Sequence, residues 1–147
     1  MADSAKSISV ERVIAAPPEK IFDVLADPSL HSVIDGSGTV RNTRGTPPAR
    51  LSLGAKFGMS MRIGAPYPIT NQVMEFEENR RIAWWHPAHN MWRYELEPVT
   101  GGTRVRETFD WSRSRAPWLL GPMGFLKRNQ AGMEQTLERL DRHVTGG

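Results

Sequence analysis

Three side chains that can exchange protons or hydrogen-bond a substrate fall within predicted strands: His86, Tyr94 and Glu107. Side chains alternate between the two faces of a strand, and each of these three shares its face with large apolar residues. A carboxyl group in apolar surroundings has a raised pKa, which suits it to general acid–base catalysis. Glu107 or His86 is therefore a candidate general base, with Tyr94 as the group that polarises a carbonyl.

The faces that carry these three residues are aromatic and aliphatic, whereas the opposite faces carry arginines such as Arg104 and Arg106. We assign the apolar faces to the concave side of a sheet, because the reverse assignment would bury the arginines. An apolar surface with a few polar groups is typical of a small-molecule site. The predicted ligand-binding residues are Phe57, Met59, Met61, Trp84, His86, Trp92, Tyr94, Glu107, Phe109, Trp111, Met123, Leu126, Gln130 and Met133.

Taken singly, most of these residues are typical of an ordinary hydrophobic core. The polar residues among them indicate a binding site and not only a core, because burying an unpaired polar group costs roughly 1–3 kcal/mol. Gln130 interrupts an otherwise apolar helix stripe, although a polar residue can also fix the register of a helix. For Glu107 the alternative is a structural ion pair with a neighbouring arginine.

The first part of the chain predicts one strand and two short helices. Ser7–Ala15 alternates as a strand, and Pro17–Pro18 ends it and opens a helix that reaches Leu25. Asp27 is placed to cap a second short helix, which we expect to end at residues 35–38.

The middle of the chain predicts strands joined by short turns, which is typical of an antiparallel meander. Two of the turns fall at residues 64–68 and at Gly101–Gly102. The facing of one strand stays open, because apolar residues occur there at both parities. The predicted strands are Thr39–Thr43, Lys56–Ile63, Ile69–Glu77 (the strand of open facing), Arg80–His86, Asn90–Glu97 and Thr103–Ser112.

The C-terminal part predicts a long amphipathic helix. From Leu119 to Val144, residues spaced by three and four form one stripe over some seven turns, apolar except at Gln130. Gly121, Pro122 and Gly124 weaken the beginning, where we expect a kink or a late start. A helix of this length spans a whole sheet.

Four segments, Val13–Pro28, Gly54–Phe57, Arg80–Trp84 and Gly102–Val105, resemble the START-related SRPBCC superfamily, in particular its polyketide cyclase/dehydrase-like branch. The resemblance covers nearly the whole chain and implies one START-like ligand-binding domain over residues 1–147. It implies an α+β helix-grip fold: a curved seven-stranded antiparallel sheet wrapped around a long C-terminal helix, with two short helices after the first strand. Members of the superfamily range from lipid carriers to aromatase/cyclases, so the fold does not define one activity.

The composition excludes several classes of site. The chain has no cysteine, which excludes disulfides, thiolate metal sites and a cysteine nucleophile. His86 and His89 form an H-x-x-H pair without a nearby acidic partner, so we expect no metal and no cofactor. The net charge is +3 and the arginines are scattered, so we expect no nucleic-acid partner.

No apolar run approaches the roughly 20 residues that cross a bilayer, and Met1–Ser7 lacks the pattern of a targeting signal. We therefore expect a cytoplasmic protein without integral membrane association, with transient contact to a membrane surface as an open alternative. The expected assembly is a monomer or a weak homodimer.

The leading functional hypothesis is the binding or carriage of a small hydrophobic ligand, a lipid, fatty acid or polyketide-like aromatic, between the sheet and the last helix. The first alternative is a cyclase or dehydratase that uses Glu107 or His86 as general base. The second alternative is an interaction or regulatory module that docks an acidic partner on the basic outer strands.

Overall fold

A computed structural model describes the backbone of residues 7–35, 40–44, 49–63, 65–86, 90–112 and 125–146. Side chains are described in the same ranges except at 40–44, 60–63, 65–67, 86 and 125–129.

The first strand, β1 (Ser7–Ile14), leads within a few residues into helix α1 (Pro18–Leu25). Pro18 occupies the first turn of α1, where its missing N–H costs no helical hydrogen bond. The predicted strand and helix are confirmed, with β1 ending one residue earlier than expected. The helix buries an apolar stripe that consists of Ile21, Phe22, Val24 and Leu25.

A turn of 3-10 helix (Pro28–Leu30) and a short helix α2 (His31–Ile34) form the second helical segment. The carboxylate of Asp27 accepts a hydrogen bond from the N–H of Ser29 at 3.0 Å, as expected for a cap. The helix ends at Asp35, whose backbone is extended. The predicted cap and the predicted end of this segment are both confirmed.

Six further strands complete one antiparallel sheet with the order β1-β7-β6-β5-β4-β3-β2. From β2 onward each strand pairs with the next one in the chain, and β1 closes onto β7. The predicted α+β arrangement of seven strands is confirmed. The six strands are β2 (Val40–Arg44), β3 (Lys56–Ile63), β4 (Ala65–Glu77), β5 (Arg81–His86), β6 (Asn90–Val99) and β7 (Gly102–Asp110).

Strand β4 begins earlier than the sequence predicts. Ala65 already pairs with Ile63, so the expected turn over residues 64–68 is too long. Pro66 and Pro68 lie opposite Arg62 and Ser60 within the ladder. Proline has a backbone dihedral that suits an extended chain, and it loses only its own N–H bond there. The prediction of a turn at these prolines is therefore wrong.

Strand β4 also contains a bulge, where the pairing with β5 shifts between Val73 and Glu75. Before the bulge Asn71 and Val73 are buried, and after it Phe76 packs against the core. An extra residue in a strand moves the following side chains to the opposite face. The bulge explains why apolar residues occur at both parities, and it settles the facing of this strand.

The hairpin between β6 and β7 approaches the end of β1 closely. Gly102 has φ +153°, and a Cβ atom built there would overlap the carbonyl oxygen of Ile14. Only glycine therefore permits this contact between the two backbones.

The C-terminal helix, α3 (Phe125–Thr145), packs against α1, α2, β1 and β7. Its 21 residues correspond to a length of about 31 Å. The expected kink or late start between Leu119 and Gly124 lies outside the described residues. The buried stripe of α3 includes Met133, Leu137, Leu140 and Val144.

The two faces of the sheet differ in chemistry. We call the face that joins α1 and α3 in the hydrophobic core the inner face, and the opposite one the outer face. On the outer face Arg93 donates two hydrogen bonds to Glu75, each of 2.8 Å, and Arg104 pairs with Glu97 at 2.6 Å. The predicted assignment of apolar and arginine-bearing faces is confirmed. Core residues of the inner face include Phe57, Met59, Ile82, Trp84, Tyr94, Leu96, Val105 and Phe109.

Candidate functional site

Two polar side chains form a hydrogen-bonded pair in the middle of the inner face. The register of β6 and β7 places Tyr94 directly opposite Glu107. The Tyr94 hydroxyl donates to Oε2 of Glu107 at 3.0 Å. Both residues are buried, with exposed fractions of 6% for Tyr94 and 2% for Glu107. Cross-strand pairing of this kind orients the carboxyl group without any help from a loop.

The second carboxyl oxygen of Glu107 is the unusual atom of this pair. Oε1 is buried and has no hydrogen-bond partner among the described residues. The alternative of a structural ion pair with an arginine is therefore wrong for the part of the chain described. A buried polar atom without a partner costs on the order of 1–3 kcal/mol, so it indicates that something else satisfies the group.

Burial is the main cause that raises the pKa of Glu107 to about 8. The hydrogen bond from Tyr94 lowers this pKa, and the negative charge of Asp35 raises it further. Burial, followed by the charge of Glu107, also raises the pKa of Tyr94. Most Glu107 side chains are consequently neutral acids at pH 7. Oε2 accepts the hydrogen bond from Tyr94, so Oε1 is the oxygen of this acid that is left for a further hydrogen bond.

An aromatic wall stands beside the Tyr94–Glu107 pair on the neighbouring strands. The rings of Trp84 and Tyr94 lie 5.7 Å apart, and Phe57 meets Trp84 edge-on at 5.5 Å. His31 stacks almost parallel on Trp84, with 4.9 Å between ring centroids and 19° between planes. The wall offers flat surfaces for stacking against a planar ligand.

His31 is a site residue that the sequence analysis missed. Its Nε2 lies 2.9 Å from the carbonyl oxygen of Leu25, and burial lowers its pKa, so the neutral ring donates this hydrogen bond. The remaining nitrogen, Nδ1, is then an acceptor. In the sequence, the spacing of three between His31 and Ile34 is the one indication that His31 shares a helix face with an apolar residue. Two positions are too few to establish a buried face.

Two asparagines extend the polar lining of the inner face. Asn71 is 4% exposed, and its Oδ1 has no partner among the described residues. It shares the inner parity of β4 with Val73, and it lies opposite Phe57. The Oδ1 of Asn90 is also buried and unpartnered within the described chain, and Asn90 has the parity of Trp92 and Tyr94 on β6. The sequence analysis missed both, Asn71 because the facing of its strand was open.

A second aromatic group lies toward the other end of β6 and β7. The rings of Trp92 and Phe109 are 4.6 Å apart, and those of Phe109 and Trp111 are 5.7 Å apart. Trp92 and Trp111 are only partly buried and pack against the core. These contacts form an apolar surface that continues from the wall around Trp84.

Apart from Gln130, the predicted site residues separate into three groups. Seven are buried as expected: Phe57, Met59, Trp84, Tyr94, Glu107, Phe109 and Met133. Trp92 and Trp111 are partly buried. The side chains of Met61, His86 and Leu126 are not among those described, and Met123 and His89 lie outside the described residues altogether.

The burial predicted for Gln130 is wrong. Its side chain is exposed, whereas Met133, Leu137 and Leu140 further along the same stripe are buried. Periodicity identifies the face of a helix but does not determine the burial of each position along that face. Gln130 is therefore not the buried polar interruption that the sequence analysis expected.

The outer face carries a separate cleft of about 170 Å³, lined by Glu75, Trp85, Met91, Arg93, Asp110 and Ser112. Arg93 is held by Glu75, and the Ser112 N–H donates to Asp110 at 2.8 Å. The arginine and the aspartate of this cleft are held by hydrogen bonds within the protein. The inner face differs, because there Oε1 of Glu107 has no such partner among the described residues.

Within the described ranges, no group of three or more His, Cys, Asp or Glu side chains is placed to hold a metal ion. No helix in the described part of the chain is both long and apolar enough to cross a membrane.

A curved antiparallel sheet around a long C-terminal helix, with two short helices after β1, defines the SRPBCC class of helix-grip proteins. The family described as polyketide cyclase / dehydrase and lipid transport matches residues 5–145. The chain belongs to this family.

Two curated relatives come from Mycobacterium tuberculosis and are both described as uncharacterized proteins. They are 41% and 40% identical to this chain over an aligned stretch that covers 95% of it. The chain spans 64% of the length of each relative.

Solved structures share the fold at low sequence identity. A crystal structure of a Nitrosomonas europaea protein superimposes with a TM-score of 0.74 at 18% identity, covering 98% of this chain and 97% of the other. An AHSA1-like protein from Aeromonas hydrophila gives 0.67 at 23% identity, covering 95% and 92%. The Aha1 dimer from Colwellia psychrerythraea gives 0.67 at 18% identity, covering 94% and 95%. These likenesses concern the fold alone.

Proposed function

We propose that this protein binds a small, largely apolar molecule between the inner face of the sheet and α3, with Glu107 and Tyr94 as its polar anchor. The observation that carries the proposal is the buried, unpartnered Oε1 of Glu107. A ligand oxygen or nitrogen that hydrogen-bonds this atom would remove the cost of leaving it unsatisfied.

The surroundings of the anchor support an apolar ligand. Trp84, Phe57 and His31 provide a stacking surface next to Tyr94, and Trp92 and Phe109 continue it. An apolar lining with a few convergent polar groups is the usual composition of a small-molecule site. Membership of a family described as polyketide cyclase / dehydrase and lipid transport agrees with such a ligand.

The binding proposal is tested with the uncharged fluorophore N-phenyl-1-naphthylamine, whose N–H can donate to Glu107. We expect saturable binding with a fluorescence increase, and at least fivefold weaker binding by Glu107→Leu. The matched control is Glu97→Leu, because Glu97 lies on the neighbouring strand with its side chain 67% exposed on the outer face. Absence of saturable binding, or equal affinities of Glu107→Leu and the control, would contradict the proposal.

Native mass spectrometry of the freshly purified protein adds a test that needs no chosen probe. We expect a bound molecule that copurifies with the wild type and is depleted in Glu107→Leu. Its mass would also identify the chemical class of the natural ligand.

A second candidate function, acid–base catalysis at the same pair, is favoured by the raised pKa of Glu107. A neutral Glu107 starts the reaction as an acid, which suits a dehydration better than the general-base role considered from the sequence. Glu107 would protonate the leaving hydroxyl of a β-hydroxy ketone, so that the C–O bond breaks and water leaves. The resulting carboxylate would take the α proton, the C–H electrons would form the C=C bond, and the acid would be restored.

This candidate is tested with 4-hydroxy-4-phenylbutan-2-one, whose dehydration gives a conjugated enone with a strong ultraviolet absorbance. Glu107→Gln keeps the shape and hydrogen-bonding capacity of the neutral acid but cannot donate a proton in the reaction. We expect it to bind the ligand within a few fold of the wild type and to abolish turnover. Turnover that is equal in the wild type, Glu107→Gln and the protein-free reaction would leave binding as the function.

A further inference from the structure

We propose that the site selects ligands whose polar end is uncharged, such as a hydroxyl, phenol or ketone, and rejects the carboxylate of the same carbon skeleton. The inference deepens the proposed binding function and rests on it. It excludes fatty acids in their ionised form, which the sequence analysis left among the candidate ligands.

The first argument is that no cation is buried within the described part of the chain. The buried polar residues of the described chain are His31, Asn71, Thr103, Glu107, Thr108 and Thr136, and none of them is a lysine or an arginine. A carboxylate that leaves water needs a cation or several N–H donors. Among the described side chains of the inner face, the Tyr94 hydroxyl is the one donor that hydrogen-bonds Glu107, and no cation pairs with it.

The second argument is the chemistry of the unsatisfied atoms. Glu107 Oε1, Asn71 Oδ1 and Asn90 Oδ1 are all oxygens, buried and without partners among the described residues. A ligand hydroxyl can donate to each of them, and a ketone can accept from the protonated Glu107. A carboxylate has no proton to donate, so it would leave the asparagine oxygens unsatisfied.

The test uses two probes with the same ring system, uncharged 2-naphthol and anionic 2-naphthoate, titrated at pH 7.5 by isothermal calorimetry. We expect 2-naphthol to bind at least tenfold more tightly. Equal or tighter binding of 2-naphthoate would overturn the selectivity and leave the proposed binding function intact. Binding of neither probe up to millimolar concentration would overturn the proposed function and the inference together.

Discussion

The inner and outer faces of one sheet satisfy their polar groups in opposite ways. On the outer face carboxylates and arginines meet each other, as in the two hydrogen bonds between Arg93 and Glu75. On the inner face the Tyr94–Glu107 pair leaves one carboxyl oxygen without a partner in the described chain. Since both faces alternate along the same strands, the difference arises from individual side chains and not from the backbone. This difference is the reason that we propose a ligand site on the inner face and a structural role for the outer face.

We expect the largest difference in stability between substitutions of two adjacent tryptophans, Trp84 and Trp85, which lie on opposite faces of the sheet. Trp84 is 8% exposed and contacts His31, Phe57 and Tyr94, whereas Trp85 lines the outer cleft. We expect Trp84→Ala to lower the free energy of unfolding by about 3–5 kcal/mol, because it removes a buried ring. Trp85→Ala should lower the free energy of unfolding by clearly less than Trp84→Ala. Urea denaturation of both variants measures the difference, and equal losses would refute the contrast between the faces.

The pH dependence of stability should identify the buried acid. The pKa of Glu107 is about 8 in the folded state and close to its usual value of 4.5 in the unfolded chain. Between these two values the folded state retains a proton that the unfolded state has lost, so stability falls as pH rises from about 4.5 to 8. The loss amounts to roughly 3–5 kcal/mol from this one group.

Glu107→Gln removes the titration and should therefore be stabilised relative to the wild type at pH 8, with little difference at pH 5. The outer-face control Glu97→Gln should follow the wild type over the same range. Chemical denaturation at the two pH values measures both variants. If Glu107→Gln kept the same slope as the wild type, Glu107 would not be the buried acid described.

A smaller effect should come from Asn71, whose buried oxygen has no partner in the described chain. We expect Asn71→Leu to raise the free energy of unfolding of the ligand-free protein by about 1 kcal/mol, because it removes an unsatisfied polar group. The same change should weaken binding of 2-naphthol. A variant that is both less stable and unaltered in binding would show that Asn71 has a partner of its own.

The smallest effect should come from the outer ion pairs. Arg104 lies 2.6 Å from Glu97, but the two side chains are 43% and 67% exposed. Such pairs contribute about 0–1 kcal/mol, so Arg104→Gln should change the unfolding free energy by less than that amount. Thermal unfolding at low and high salt measures the effect, and a loss of several kcal/mol would place this pair among the structural determinants of the fold.

Much of the fold could be predicted because side-chain alternation and helical periodicity report directly on which face is buried. Alternation placed Trp84, Tyr94, Glu107 and Phe109 on the inner face correctly. The hydrogen bond between Tyr94 and Glu107 could not be predicted, since it depends on the register of β6 against β7.

The other residues that the sequence analysis overlooked or predicted wrongly were obscured by local features of the structure. The bulge at Val73–Glu75 hid the facing of Asn71, because periodicity assumes a regular strand. His31 lies in a helix of four residues, which is too short to show a period. The prediction for Gln130 was wrong because the spacing of apolar residues does not determine how deeply each position of α3 is buried.

The bulge in β4 also determines how this strand tolerates changes in length. It lets the strand contribute Val73 before the irregularity and Phe76 after it to the same core, where Phe76 meets Phe22 of α1 edge-on at 5.4 Å. Deleting the exposed Met74 would restore a regular ladder and leave Phe76 two positions after Val73, on the same inner face. The contact between α1 and the sheet should therefore survive the loss of this one surface residue.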